Sequence, residues 1–257
     1  MLRRAVAEAL GTAFLLAAVV GSGIMGERLA GGNVAIALMA NTISTGATLV
    51  ALILTLGAIS GAHFNPAVTL AEASQGGVAW RAVPGYVAAQ IAGAFGGVAA
   101  AHVMFGEPLF YVSHHVRAGS AQLLSEFVAT FGLISVIRGC ARFHSSAVPF
   151  AVGSYITAAY WFTSSTSFAN PAVTLARSVS DTFAGIRPAD VPGFIAAQLA
   201  GAAAATVLFG WLMPMPPKEA SPGAKIEMVP SDPSNNSFSD RHARPEHGTR
   251  KRRDVSP

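Results

Sequence analysis

The chain has 257 residues, of which 52% are hydrophobic and 12% are charged, and its formal net charge is +4. Water-soluble domains carry about 25% charged residues, so this composition predicts an integral membrane protein. Positive residues collect in a C-terminal tail and in short loops, which excludes a groove-lining basic patch for nucleic acid. The single cysteine, Cys140, excludes an internal disulfide and an all-cysteine metal site.

Six stretches are long and apolar enough to cross a hydrocarbon core, which takes about 20 residues. They lie near residues 5–25, 34–57, 84–105, 120–140, 147–166 and 192–213. The first follows Arg3 and Arg4, as the apolar part of a cleavable signal peptide would. It is nevertheless long enough to span, and equivalent segments follow it, so we expect it to be retained as the first helix.

One seven-residue string, Asn-Pro-Ala-Val-Thr-Leu-Ala, occurs twice, at residues 65–71 and 170–176. The first copy lies between the second and third spans, and the second copy between the fifth and sixth. Each begins a segment of about ten residues, which is too short to cross a bilayer. Non-helical backbone at membrane depth is tolerated only where protein buries it or where it lines a water-filled cavity. The two copies therefore predict re-entrant half-helices that line a cavity.

Other matching features define two repeats. Residues 83–90 match residues 191–198, and Glu8 near the start of the first span has a counterpart in Glu126 on the fourth. The predicted fold is an all-α membrane protein with six transmembrane helices and two half-helices. Repeat one covers about 5–105 and repeat two about 120–213, within one channel domain at 1–213. Three spans per repeat insert the halves in opposite orientations, so the half-helices should meet N-terminus to N-terminus near the midplane.

Residues 214–257 are rich in proline, serine, asparagine and charge, which predicts a disordered basic tail. Its cations, together with a small excess of arginine in the loops on the same side, place both termini in the cytoplasm by the positive-inside rule. The expected location is an inner (cytoplasmic) membrane. The tail either contacts anionic lipid or only aids solubility.

The Asn-Pro-Ala strings start a helix sharply. Asparagine is a good N-cap, because its side-chain oxygen accepts a hydrogen bond from the first helical turn, and proline suits the first helical position. The amide groups of Asn65 and Asn170 can then donate to the oxygen of a passing water or hydroxyl group. The positive ends of two facing helix dipoles would oppose cations at the same place. We interpret the six motif residues as the centre of a pore: Asn65, Pro66, Ala67, Asn170, Pro171 and Ala172.

These features resemble the aquaporin and glycerol-facilitator family, the major intrinsic proteins, over residues 5–213. The resemblance rests on both strings, on Gly-Ala-His-Phe at 61–64, and on Glu8 and Glu126. It implies a six-helix pore in the lipid bilayer, assembled as a homotetramer, that passes water or small neutral solutes without a cofactor or metal. It also implies that Glu8 and Glu126 brace the re-entrant loops and that His63 helps shape the pore wall.

In that family the narrowest point is a filter of four residues that includes an arginine directly after the second Asn-Pro-Ala. Here Val173 has that position. Counting along the chain gives Thr45, Ala158 and Ser167 as the other three members. A shift of one or two residues on the fifth span would instead select Thr157, Ala159 or Tyr160. The four chosen residues are small and uncharged, so the sequence predicts a wide filter without arginine.

Arg177 and the pair His114 and His115 have alternative interpretations. Arg177 lies one helical turn beyond Val173. It either brings a positive charge to the outer vestibule or is an exposed residue at the end of the helix, and we predict that it is exposed. His114 and His115 are expected to be ordinary loop residues, because an exposed pair without a carboxylate or cysteine beside it is a poor metal site.

A wide uncharged filter favours glycerol-like solutes and the uncharged hydroxides of metalloids, such as arsenite and antimonite, with methylated arsenicals as further candidates. The sequence is similar to a bacterial subgroup of the family, associated with arsenic-resistance operons, whose second motif is also Asn-Pro-Ala-Val. The alternatives are a water-selective or general water and glycerol channel, and a non-conducting membrane scaffold. No catalytic constellation stands out, so the sequence does not predict an enzyme.

Overall fold

The computed structural model describes residues 1–213, and within that range the chain is helical and contains no strand. The helices are α1 Leu2–Leu29, α2 Val34–Ser60, α3 Pro66–Ser74, α4 Val83–Phe105, α5 Ser120–Phe143, α6 Val148–Phe162, α7 Pro171–Arg177 and α8 Val191–Leu212. Six are long and two are short, so the predicted all-α membrane fold is confirmed. The predicted disordered tail, 214–257, lies outside the described residues.

Helix α6 is shorter than the sequence predicted. Five helices of the described chain are long and apolar enough to cross a membrane, whereas α6 has 15 residues, about 22 Å at 1.5 Å per residue. Its predicted span was 147–166, but the helix ends at Phe162 because Thr163 takes an extended backbone conformation. The residues that follow form the loop that leads into α7.

The chain marks several helix ends with residues suited to them. Pro84, Pro149 and Pro192 stand in the first turns of α4, α6 and α8, where a missing N–H group removes no intrahelical hydrogen bond. Gly61, with φ of 93°, ends α2 in the left-handed region that favours glycine. The chain therefore turns sharply from α2 into the loop before α3.

The same close helix contact occurs in both repeats. Helix α1 packs against α4, and α5 packs against α8. Gly93 of α4 lies against the carbonyl oxygen of Ala9, and Gly201 of α8 lies against that of Phe127, so a Cβ at either glycine would collide. Each glycine comes three residues after the glutamine that ends its matching string. Small residues allow helices to approach closely in membranes, and the repeats share that approach.

The surface carries many large apolar side chains, and the interior holds polar side chains among its apolar ones. Large apolar side chains are exposed on several helices, among them Phe14, Ile43, Leu124, Val207 and Trp211. Fully or almost fully buried polar side chains include Glu8, Asn41, Gln90, His102 and Gln198. Lipid can cover the apolar exterior, while buried polar groups in a membrane face the bundle interior and pair with one another. The chain is a multi-pass membrane protein.

We predict that Gly97→Val destabilises the α1–α4 contact, because a Cβ at Gly97 would collide with the carbonyl oxygen of Ala13. Overpacking of this kind costs about 1–3 kcal/mol, which would lower the thermal unfolding midpoint of the detergent-solubilised protein. Gly96→Val is the matched control, because no atom lies within 4 Å of its Cβ position. Equal losses for the two variants would contradict this packing argument.

Candidate functional site

Helices α3 and α7 begin at the two Asn-Pro-Ala strings, each capped by its own asparagine. The side-chain oxygen of Asn65 accepts from the backbone N–H of Ala67 at 2.9 Å. That of Asn170 accepts from the backbone N–H groups of Ala172 at 3.0 Å and Val173 at 3.3 Å. Both asparagines are extended, with φ near −155° and −157°, so the local chemistry of capping fixes where each half-helix starts.

The two caps also join the repeats. The Asn65 side-chain amide donates to the carbonyl oxygen of Ala169 at 2.7 Å, and that of Asn170 donates to the carbonyl oxygen of Phe64 at 2.7 Å. The half-helices therefore meet at their N-termini, with each asparagine bonded to the loop of the other repeat. Each amide uses one N–H in this bond. Its second N–H can donate to a molecule in the cavity that both asparagines line.

Glu8 holds the loop before α3 from inside the bundle. Its carboxylate accepts from the backbone N–H groups of His63 at 3.0 Å and Phe64 at 2.7 Å. It also accepts from the Ser60 hydroxyl at 2.6 Å and the Gln90 amide at 2.7 Å. The carboxylate is fully buried, so these donors supply the compensation that a charge in a membrane protein needs.

Glu126 has the same place in the second repeat. It accepts from the backbone N–H groups of Phe168 and Ala169, both at 2.9 Å, and from the Gln198 amide at 2.6 Å. Gln198 also donates to the Thr174 hydroxyl, as Gln90 does to that of Thr69. The sequence analysis did not assign a role to these glutamines, although both end the matching strings at 83–90 and 191–198.

The braced loops contain residues in an uncommon backbone conformation. Non-glycine residues with positive φ occur in both loops: Ala62, Phe64, Thr166, Ser167 and Ala169, with φ between 47° and 61°. Such a conformation costs about 1–3 kcal/mol at each residue and persists only where its surroundings enforce it. The carboxylates of Glu8 and Glu126 bind the N–H groups of Phe64 and Ala169, two of these strained residues.

His63 lies beside the first half-helix and lines the cavity. Its Nδ1 is 3.1 Å from the hydroxyl oxygen of Thr69, and its ring centroid is 5.3 Å from that of Tyr86. The backbone bond to Glu8 and these side-chain contacts hold the imidazole at the wall of the cavity.

A cavity of about 460 Å³ passes between the half-helices. At one end, here called the Arg4 end, its lining includes Arg4, Glu72 and Val78. Asn65 and Asn170 lie along it, and the opposite end, here called the Arg177 end, is lined by Thr45, Ser167, Phe168, Val173, Tyr160 and Arg177. The cavity thus connects the two asparagines with three of the four predicted filter positions.

The fourth predicted filter residue, Ala158, is not part of this lining, and its assignment was wrong. Ala158 is exposed on the outer face of α6, whereas Ile156 and Tyr160 line the cavity. An α-helix has 3.6 residues per turn, so a residue midway between 156 and 160 points to the opposite side. The Tyr160 hydroxyl is 3.3 Å from that of Thr45. Tyr160, which counting reaches by a shift of two residues, lines the cavity in place of Ala158.

Arg177 is buried, contrary to the prediction that it is exposed. Its relative exposure is 2%, its Nε donates to the carbonyl oxygen of Ala184, and its guanidinium carbon lies 3.4 Å from the ring centroid of Phe168. Because Arg177 lines the cavity with Val173, the lining contains an arginine even though the motif position does not. Sequence spacing placed it on the correct helical face but did not reveal the pocket that buries it.

The segment between α4 and α5 covers the Arg177 end of the cavity. Tyr111 and Ser113 donate backbone hydrogen bonds to Val179 and Ser178, and Arg117 donates to the carbonyl oxygen of Gly185 at 2.8 Å. The Arg117 guanidinium carbon also lies 4.9 Å from the centroid of the Phe168 ring. Burial lowers the pKa of Arg117 to about 10, so it stays charged at neutral pH. This segment fixes the residues that follow α7.

The two loop histidines do not form a metal cluster. His114 pairs with Asp181, with 3.0 Å between Nδ1 and the carboxylate oxygen, and no group of three potential metal-binding His, Cys, Asp or Glu side chains occurs in residues 1–213. The carboxylate beside His114 was not expected from the sequence. It forms a bond between loops at the protein surface.

Comparison with known proteins places these features in a family. The family profile described as major intrinsic protein matches residues 1–163. The chain is 59% identical over 211 residues to aquaglyceroporin AqpS of Rhizobium meliloti (strain 1021), covering 82% of this chain and 90% of that protein. It is 38% identical over 141 residues to aquaporin NIP1-3 of Oryza sativa subsp. japonica, covering 54% and 48% of the two chains.

A solved structure has the same fold. The aquaglyceroporin from Plasmodium falciparum aligns with a TM-score of 0.63 at 20% identity, over 81% of this chain and 95% of that one.

We predict that Glu126→Gln destabilises the protein. An amide in place of the carboxylate would present N–H groups to donors that now point at oxygen, and an unsatisfied buried donor costs about 1–3 kcal/mol. The thermal unfolding midpoint of the purified protein in detergent should fall. Glu27→Gln is the control, because Glu27 is exposed on α1. A midpoint for Glu126→Gln equal to that of the control would show that the brace contributes little.

Proposed function

Because this chain belongs to the major intrinsic protein family of membrane channels, we propose that it conducts metalloid hydroxides, such as arsenous acid, in addition to glycerol. The coarser activity follows from the family: it is a passive channel for small uncharged solutes and not an enzyme. The name of the rhizobial relative, aquaglyceroporin, supports glycerol as a solute. The cavity, whose lining includes both motif asparagines, argues against a non-conducting scaffold.

The observation that carries the proposal is the lining of the cavity at its Arg177 end. The hydroxyl groups of Thr45, Ser167 and Tyr160 lie there beside the short apolar side chain of Val173. The hydroxyl oxygen of Ser167 is buried and has no hydrogen-bond partner within residues 1–213. A solute with several hydroxyl groups can satisfy it, and arsenous acid and glycerol each carry three. Arsenous acid is uncharged at neutral pH and avoids the desolvation cost of an ion.

We assign to Asn65 and Asn170 the role of orienting the permeating oxygen at the middle of the pore. Each has one amide N–H left after its bond to the opposite loop, and each lies at the positive end of a half-helix. Glu8, Glu126 and His63 hold the loops that carry these asparagines. For the filter we propose Thr45, Ser167, Val173 and, in place of Ala158, Tyr160.

A water-selective channel is the second candidate, and one specific observation favours it. Tyr160 and Arg177, both large, line the same end of the cavity as Val173, so the opening is less wide than a ring of Thr45, Ala158, Ser167 and Val173 would make it. The two candidates differ in a direct way, because only the first requires entry of a solute larger than water.

We also propose a homotetramer in a bacterial inner membrane with both termini in the cytoplasm. The rhizobial relative supports a bacterial membrane, and the arginine distribution of the sequence supports the orientation. The residues proposed as the channel domain, 1–213, are those that the structure describes, and they lie within one compact unit.

The decisive measurement is stopped-flow light scattering of proteoliposomes under inward gradients of glycerol and of arsenous acid at neutral pH. We expect both solutes to enter faster than into protein-free liposomes. Water flux without entry of either solute would overturn the proposal in favour of the water-selective channel.

We predict that Val173→Arg lowers arsenous acid entry by about tenfold, which is a rise of 1.4 kcal/mol in the barrier, while water flux changes little. The added guanidinium would occupy space that Val173 leaves open beside Arg177. Val173→Ala is the control, because it keeps the position small and should leave entry of arsenous acid at the wild-type rate. Unchanged arsenous acid entry through Val173→Arg, at equal protein content, would show that this position does not limit the pore.

A further inference from the structure

Arg177 lies one helical turn after Val173 on α7, and its side chain lines the cavity. Residues four apart share one face of a helix, and side chains lean towards the helix N-terminus. A long side chain at 177 therefore extends back towards residue 173, where the short side chain of Val173 leaves room. This geometry accounts for an arginine that lines the cavity although it lies four residues beyond Val173.

Two contacts and the dipole of α7 hold the guanidinium in that place. Its Nε donates to the carbonyl oxygen of Ala184, and its central carbon lies over the ring of Phe168, 3.4 Å from the centroid. A cation over an aromatic face is attracted by the ring quadrupole. Arg177 also belongs to the last turn of α7, where the negative end of the helix dipole favours a cation. The partners are a backbone carbonyl oxygen and an aromatic ring, neither of which is an anion, so the guanidinium is held in place without a neutralising carboxylate.

The charge and most of its donors remain available to the cavity. The ion pairs within residues 1–213 involve Arg28, His114 and Arg187 but not Arg177. Its Nε is the one nitrogen of this side chain with a hydrogen-bond partner in the described chain, so the two terminal nitrogens can donate to whatever fills the cavity. The unpartnered hydroxyl of Ser167 lines the same end.

We propose that Arg177 is the specificity-determining cation of this pore: its guanidinium repels cations at the Arg177 end and donates hydrogen bonds to the oxygens of neutral solutes. The proposal rests on the proposed function, since it needs a conducting pore. It adds a residue that lies outside the Asn-Pro-Ala strings and outside the four filter positions counted from the sequence.

The test compares urea with guanidinium, two planar species of nearly equal size that differ in charge. Proteoliposomes carrying wild-type protein, Arg177→Leu or Arg28→Leu are placed in inward gradients of either solute. Valinomycin and potassium keep the membrane potential near zero. Arg28 is the matched control, because it is exposed, pairs with Glu107 and does not line the cavity.

We expect Arg177→Leu to raise guanidinium entry at least about tenfold, which is a fall of 1.4 kcal/mol in the barrier, while urea continues to enter. Arg28→Leu should behave as the wild type. The double variant Val173→Arg with Arg177→Leu should again exclude guanidinium, because it restores a guanidinium group to the same face one turn earlier. Urea entry through the same double variant shows that the exclusion comes from charge and not from a pore narrowed by the larger side chain at position 173.

Guanidinium exclusion by Arg177→Leu with urea entry intact would overturn the proposal. If Arg177→Leu does not assemble, Arg177→Lys and Arg177→Gln decide the matter: a leak confined to the glutamine variant supports the role of charge, and equal behaviour of the two contradicts it. Failure of both to assemble would make Arg177 a structural residue and would also overturn the proposal. A wild type that admits neither urea nor glycerol would instead refute the proposed function.

Discussion

The arrangement of this protein depends on two carboxylates buried at the level of the half-helices. A charge in that position is tolerated only if hydrogen-bond donors surround it. Glu8 and Glu126 obtain their donors from the backbone of the re-entrant loops and from Gln90 and Gln198. The same bonds hold loop residues at positive φ, and those loops aim both asparagine caps into the cavity. The hydrogen bonds that compensate the buried carboxylates therefore also set the geometry of the pore.

Much of the fold was predictable, because its determinants are local or repeated. Helix-starting pairs such as Asn65 and Pro66 act on the next few residues, so their chemistry can be inferred from sequence. Long apolar segments indicate the membrane spans. The two copies of one string predict two half-helices, and their places in the two repeats predict opposite orientations. The pairing of Glu8 with Glu126 could be inferred for a similar reason, since both occur at equivalent places in the two repeats.

The details of the Arg177 end were less predictable, because they depend on contacts between distant parts of the chain. Counting along the fifth span selected Ala158, but the rotation of α6 about its own axis decides which residues face the cavity, and this rotation depends on packing against α2. Arg177 was expected to be exposed because it ends a short helix. Its burial depends on Phe168 and Ala184, and on the covering segment with Arg117, none of which has a signature near residue 177.

The crossed bonds from each asparagine cap to the loop of the other repeat have a consequence for biosynthesis. Asn65 needs the carbonyl oxygen of Ala169 and Asn170 needs that of Phe64, so the first half of the chain cannot complete its own cap network while the ribosome is still making the second. The nascent first repeat must keep its re-entrant loop near the membrane with an unfilled partner position until residue 170 has been inserted. Two separately synthesised halves could supply the same bonds to each other only if they inserted with opposite topologies.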